Sequence, residues 1–109
     1  MAKIELFEKD LQVASAFFKV LGHPARLAIL QYLSETKVCI SGDISNELPL
    51  SRTTVSQHLK ELKDIGLIKG EISGARMNYC LDTEKLNHMK DIINNFLGDI
   101  DVSFCLECG

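Results

Sequence analysis

The run Ser51-Arg52-Thr53-Thr54-Val55-Ser56-Gln57-His58-Leu59-Lys60-Glu61-Leu62-Lys63-Asp64-Ile65-Gly66 admits few folds. Val55, Leu59 and Leu62 recur at i, i+4 and i+7, and Ile65 closes the row, so the run is a helix with one narrow apolar stripe that packs on a core. Its other side shows Arg52, Thr53, Ser56, Gln57 and Lys60, with no acid before Glu61. Hydroxyls and amides there can hydrogen-bond base edges or phosphates, and Arg and Lys can neutralise phosphate charge, which suits a DNA groove. Ser51 is a good N-cap, and Ser51, Thr54 and His58 join the candidate DNA-binding residues, with His58 serving either as a phosphate donor or as packing between helices. Gly66 stands where a left-handed residue would end the helix.

The flanks sharpen this. Asp43 to Leu48 is a short amphipathic helix stopped by Pro49, with Leu50 plugging the corner. Two helices joined by a tight turn make a helix-turn-helix, whose second helix enters the major groove. Leu67 to Ile72, a turn at Ser73-Gly74-Ala75, and Arg76 to Leu81 then read as a hairpin. Gly74 can supply the positive φ of the tip. Arg76 beside it reaches a minor groove or phosphate, or is simply an exposed strand residue. The predicted fold is mainly α with a small β-hairpin wing, a winged helix-turn-helix of five helices and two to three short strands.

The segments Leu21-Gly22-His23-Pro24-Ala25-Arg26-Leu27-Ala28-Ile29-Leu30, Leu50 through Leu62, and Gly66-Leu67-Ile68 together resemble the ArsR/SmtB family of metal- and metalloid-responsive repressors. The similarity runs over residues 15 to 97 or so. It implies a homodimeric winged-helix repressor that leaves an operator when an inducer binds. The inducer is not implied, because sensor sites in that family occupy several places.

Residues 4–21 read as the first helix. Phe7, Leu11, Ala14, Phe18 and Leu21 make one stripe, widened by Val13, Phe17 and Val20, broader than one neighbour covers. Either this is a core helix or, as the resemblance implies, one shared between core and dimer interface. Gly22-His23-Pro24 is a stop and restart: Gly22 suits a left-handed terminus, Pro24 a first helical position, and His23 a cap or packing role. The second helix runs from Pro24 to about Glu35 with Leu27, Leu30 and Leu33 inward, and Arg26 touches phosphate, pairs with an acid or is solvated. Val38-Cys39-Ile40 is a short strand that, in winged helices, pairs with the far strand of the wing. Asp82 to Leu97 is the last helix, capped by Asp82 or Thr83, with Leu86, Met89, Ile93 and Phe96 in a stripe that is expected to meet the N-terminal helix of a partner chain. Residues 1–97 are thus expected to form the DNA-binding and dimerisation domain. Residues 98–109 form a Cys-containing tail whose apolar residues alternate, as in an extended segment docked by one face.

The 109 residues suit one domain, and a dimer interface would help so small a core. The net charge of −3 is unusual for a DNA-binding domain, but it is uneven. Residues 51–76 hold five basic and three acidic residues, net +2, leaving −5 elsewhere. No apolar run approaches a membrane span and no signal peptide opens the chain, so a cytoplasmic protein without a membrane partner is expected. In that compartment cysteines favour thiols, metal ligation or redox sensing over structural disulfides.

Cys39, Cys80, Cys105 and Cys108 are the candidate ligands for a thiophilic ion, As(III) before Cd(II) or Zn(II), with no obligatory cofactor. Cys105-x-x-Cys108 has chelating spacing, and Cys39 or Cys80 would complete a three-thiolate site. Alternatively Cys39 is a small core hydrophobe and Cys80 an inert strand residue. Two family patterns are absent: Ile40-Ser41-Gly42-Asp43 stands where arsenic-sensing members carry Cys-Val-Cys-Asp. On the last helix His88, near Asp91 and Asp99, lacks the second His and the Glu of zinc-sensing members. Catalysis is not expected: there is no P-loop or dinucleotide fingerprint, and Ser56, Gln57 and His58 do not face one another on a helix. Three functions are therefore in view: a repressor of double-stranded, inverted-repeat DNA induced by a thiophilic ion, a repressor whose cysteines form a disulfide on oxidation, and a winged helix used only for protein contacts.

Overall fold

The computed structural model describes residues 3–37, 39–41, 48–71 and 78–103. The expected helix at 43–48, the wing tip with Gly74 and Arg76, and the tail from Phe104 lie outside them, except that Leu48 is described and sits in a turn. A 3₁₀ turn at Ile4–Leu6 leads to α1 (Lys9–Leu21) and α2 (Pro24–Thr36). There follow β1 (Ile40–Ser41), α3 (Arg52–Asp64), β2 (Ile68–Glu71), β3 (Asn78–Leu81) and α4 (Thr83–Gly98). Four α-helices are thus seen among the described residues, against the five expected. None of them is by itself long and apolar enough to cross a membrane.

The first helix is broken, contrary to expectation. Phe7 and Glu8 are extended, and the freed carbonyl of Phe7 accepts from the Gln12 side-chain amide at 2.8 Å. At the next junction Gly22 has φ −77° rather than a left-handed conformation. The stop comes instead from His23, whose Nδ1 accepts from the Ala25 N–H at 3.0 Å, and from Pro24 in the first turn. The left-handed residue is Lys37, φ 57°, which ends α2. The inward face of α2 also differs. Ala25, Ile29 and Leu33 are buried at i, i+4 and i+8, whereas Leu27 is half exposed. With four large aliphatic residues in the helix, both phases are compatible with the sequence, and packing of α2 on α3 selects Ile29.

α3 matches its sequence closely. Ser51 Oγ accepts from the Thr54 N–H at 3.2 Å. At the other end the Gly66 N–H bonds Lys63 O and the Leu67 N–H bonds Leu62 O, with Gly66 at φ +90°, a Schellman ending that satisfies two orphan carbonyls. Val55, Leu59 and Leu62 are fully buried and join Phe17, Ile29, Leu33, Leu67, Ile68, Tyr79 and Met89 in one core.

The sheet is antiparallel in the order β1-β3-β2. Ile40 lies opposite Tyr79, and Ile68, Lys69, Gly70 and Glu71 lie opposite Leu81, Cys80, Tyr79 and Asn78. The first strand therefore does pair with the far strand of the wing. Gly70, at φ +120°, lets the two wing strands close, because a Cβ there would overlap the backbone of Asn78 and Tyr79. α4 is capped by Asp82, whose Oδ1 accepts from the Lys85 N–H at 3.1 Å, and packs along α1. The start of the tail is not docked on its own chain: Ile100 is 50% and Val102 86% exposed.

Candidate nucleic-acid interface and cysteine pair

The buried row of α3 decides what its other side can do. With Val55, Leu59 and Leu62 locked into the core, Ser51, Arg52, Thr53, Gln57 and Lys60 are left exposed on one convex surface. Thr54 and Ser56 are half-buried at its edge, and the Thr54 hydroxyl is engaged with Ser51 Oγ at 2.9 Å. The first turn carries no acid, so the positive end of the helix dipole is not offset there. Such a surface offers amide, hydroxyl and cationic donors to a polyanion.

His58 does not belong to that surface. It is 8% exposed and lies on the inner side of α3, its ring 4.3 Å from that of His23. Its Nδ1 accepts from Arg26 Nε at 3.2 Å, while Arg26 Nη1 donates to the Val20 carbonyl at 3.1 Å. Of the two roles in view for His58, packing is the one it plays. Arg26 likewise packs inward: among the described residues its hydrogen bonds go to His58 and to the Val20 carbonyl rather than to an acid. Half-buried, it caps an open carbonyl near the end of α1 and ties α2 to α3. Burial, then the charges of His23 and Arg26, hold the His58 pKa below the ordinary histidine value, with Glu61 opposing weakly. The signal for this cluster in the sequence was slight: two histidines and an arginine near helix ends, with nothing local to join them.

Cys39 and Cys80 form a disulfide, their Cα atoms 4.3 Å apart. Continuing the ladder one step past Ile40 and Tyr79 puts the two residues directly opposite, so the register itself holds the sulfurs together. Cys39 is exposed and Cys80 half-buried, which removes the view of Cys39 as a core hydrophobe. The bond floors a hollow of about 550 Å³ lined also by Ser34, Lys37, Lys69 and Thr83. Cys105 and Cys108 lie outside the described residues, among which no group of three or more potential metal ligands gathers. His88 is exposed, edge-on to the Phe17 ring at 6.4 Å.

A second surface is apolar. Ile4, Phe7, Leu11, Ala14, Phe18 and Phe96 line a hollow of about 330 Å³ between the N-terminal turn, α1 and α4. Phe7 is 57% exposed and Leu6 77%, and Phe18 meets Phe96 edge-to-face at 5.9 Å.

Comparison with known proteins agrees with this architecture. Residues 23–69, from the α2 cap into the wing, match the family model described as "Bacterial regulatory protein, arsR family". The "HTH-type transcriptional regulator YgaV" of Escherichia coli (strain K12) is 30% identical over 95 residues, 87% of this chain and 96% of that one. The "Cadmium resistance transcriptional regulatory protein CadC" of Listeria innocua is 31% identical over 100 residues, 91% of this chain and 83% of that one. A crystal structure of a "Possible transcriptional regulator for arsenical resistance" superposes with a TM-score of 0.60 at 28% identity, covering 77% of this chain and 84% of that one. These relatives are transcriptional regulators and not enzymes, and by this combination of sequence and fold the chain belongs to the ArsR family of bacterial DNA-binding regulators.

Proposed function

We propose that the protein is a homodimeric, cytoplasmic repressor that holds an inverted-repeat operator through α3 and leaves it when a thiophilic metalloid or metal, As(III) foremost, binds to cysteine. The observation that carries the DNA-binding part is the exposed, acid-free surface of Ser51, Arg52, Thr53, Gln57 and Lys60, mounted on a fully buried stripe. Thr53 and Gln57 read bases, Arg52 and Lys60 anchor phosphates, and Arg76 adds a contact from the wing. The same surface speaks against a role in protein contacts alone. The apolar hollow between the N-terminal turn, α1 and α4 supports pairing of two copies within residues 1–97. Two-fold symmetry then calls for half-sites one helical turn, ~34–36 Å, or a multiple apart.

Relatives named for cadmium and arsenical resistance support a thiophilic inducer. In the reduced protein Cys39 and Cys80 offer two adjacent thiolates, and Cys105 with Cys108, in the tail from residue 98, offers two more. To take operator occupancy from 99:1 to 1:99 the ligand must favour the released state by ~5.5 kcal/mol. Metal–thiolate bonds are strong enough, since structural zinc sites reach ~10–16 kcal/mol.

The bond between Cys39 and Cys80 favours a second reading, in which oxidation of this pair, without metal, changes operator affinity. One experiment separates the two. Release of operator DNA is measured against As(III), Cd(II), Zn(II) and peroxide for the full chain, for a truncation after Phe104 and for Cys39→Ser. Metal sensing through the tail predicts that the truncation still binds DNA but resists As(III). Equal release at equal As(III) would remove the tail from the site. Release by peroxide that is reversed by reductant and abolished by Cys39→Ser would establish the redox reading.

A further inference from the structure

The hollow over the Cys39–Cys80 bond has a chemical character that sensing alone does not require. Lys37 and Lys69 both line it, and no carboxylate is among its described lining residues. Each cation is placed by a separate element. Lys69 sits on β2 directly opposite Cys80 in the ladder. Lys37 ends α2 with φ 57°, backbone that favours glycine, so the chain carries a charged side chain where the conformation would prefer none. Ser34 and Thr83 add hydroxyls, and about 550 Å³ admits a small molecule.

From this, resting on the redox reading above, we infer that the hollow is a docking site for small anionic disulfides, which exchange with the reduced Cys39–Cys80 pair. The two cysteines have distinct parts. Cys39, exposed, attacks one sulfur of the incoming disulfide; that S–S bond breaks and one thiolate leaves. Cys80, half-buried and directly opposite, then attacks the Cys39 sulfur of the mixed disulfide. The Cys39–Cys80 bond forms and the second small thiolate leaves. Two electrons pass from the protein to the reagent, and the two thiol protons go to solvent or to the departing thiolates. Lys37 and Lys69 attract the anion and steady it during both displacements. They are positioning residues: neither takes part in a bond that forms or breaks.

The test uses the reduced full chain with Cys105→Ser and Cys108→Ser, so that only the pair is counted. Formation of the Cys39–Cys80 bond is followed by alkylation and mass spectrometry with three probes: oxidised glutathione (anionic), cystamine (cationic) and bis(2-hydroxyethyl) disulfide (neutral). Oxidised glutathione is expected to react fastest relative to the neutral probe, with an advantage that shrinks as salt rises. In Lys37→Gly/Lys69→Gln the anionic rate falls roughly tenfold, the lower end of electrostatic steering, while the neutral rate holds. Glycine suits the backbone at position 37, so an unchanged neutral rate certifies an intact fold. Anionic and cationic probes reacting alike, or an anionic rate untouched by the double change, would overturn the anion site while leaving the redox pair standing. Failure of all three probes to form the bond would instead overturn the redox reading, and this site with it.

Discussion

Arg26 Nε donates to His58 Nδ1 across 3.2 Å, joining the first turn of α2 to the inner face of α3, the helix whose outer face exposes Arg52, Thr53, Gln57 and Lys60. Because Nδ1 accepts, the ring proton resides on Nε2 and the imidazole is neutral. Protonating Nδ1 would set two donors against each other beneath α3.

Acid should therefore loosen this junction. Burial first, and then the charges of His23 and Arg26, lower the folded-state pKa of His58 from 6.5. Below pH 6.5 the unfolded chain takes up a proton at this position that the folded chain resists, so this contribution to stability is full above pH 6.5 and declines as pH falls toward the lowered folded value. Urea denaturation between about pH 7.5 and 5 should show it, and His58→Gln should remove up to about one proton from the slope. An unchanged slope in His58→Gln would place the pH dependence elsewhere.

Arg26→Ala should cost about 1–3 kcal/mol, since it strands both a buried imidazole nitrogen and the Val20 carbonyl. Arg26→Lys should recover little, because one ammonium cannot span the two acceptors in the geometry of a guanidinium. Equilibrium unfolding measures both. Recovery of full stability with lysine would mean that charge alone suffices.

On DNA, two exposed residues of α3 should separate. Gln57→Ala should cost ~1–3 kcal/mol on the preferred operator and blur base preference. Lys60→Ala should weaken all sequences alike and lower the salt slope by about one unit. Titrations on operator and random DNA at several salt concentrations distinguish them, and matching behaviour of the two variants would refute the division.

Leu11→Glu places a charge in the apolar hollow at a side chain that is 42% exposed in the single chain. Folding of the isolated protomer should change by no more than about 0.5 kcal/mol. Sedimentation at micromolar concentration should nevertheless shift from dimer to monomer, and operator affinity should fall with it. A wild-type protein that sediments as a monomer would exclude this interface outright.

Gly70→Ala should be among the costliest changes in the chain. At φ +120° a Cβ would lie 2.9 Å from Tyr79 Cα and 3.0 Å from the Asn78 carbonyl carbon. The expected loss is at least the ~1–3 kcal/mol of a strained backbone site, seen as a lower melting temperature. A melt like that of wild type would show that the wing strands can move apart freely.

What could be read from sequence follows the range of the interactions concerned. The Ser51 cap, the Val55, Leu59 and Leu62 stripe and the Gly66 ending are set by neighbours within one or two turns, so their spacing announces them. The Asp82 cap of α4 is of the same kind. The phase of α2 was not readable, since Leu27, Ile29, Leu30 and Leu33 are equally apolar and only packing against α3 separates them. Arg26 and His58 are 32 positions apart, and no periodicity links them. The left-handed Lys37 and the break at Phe7 escaped because neither carries a turn-forming residue. The proximity of Cys39 and Cys80 followed from strand pairing, but facing sulfurs required the register.

Cys39 and Cys80 are 41 positions apart, and the chain between them includes β1, α3, β2 and the first half of β3. Once the sulfurs are joined, this stretch is a covalent ring entered and left at a single point of the sheet. Tension applied at the two ends of the chain would pass from α2 through the sulfurs into α4 and leave the ring slack. The helices that flank it can then bear a mechanical load without unthreading the stretch that carries α3.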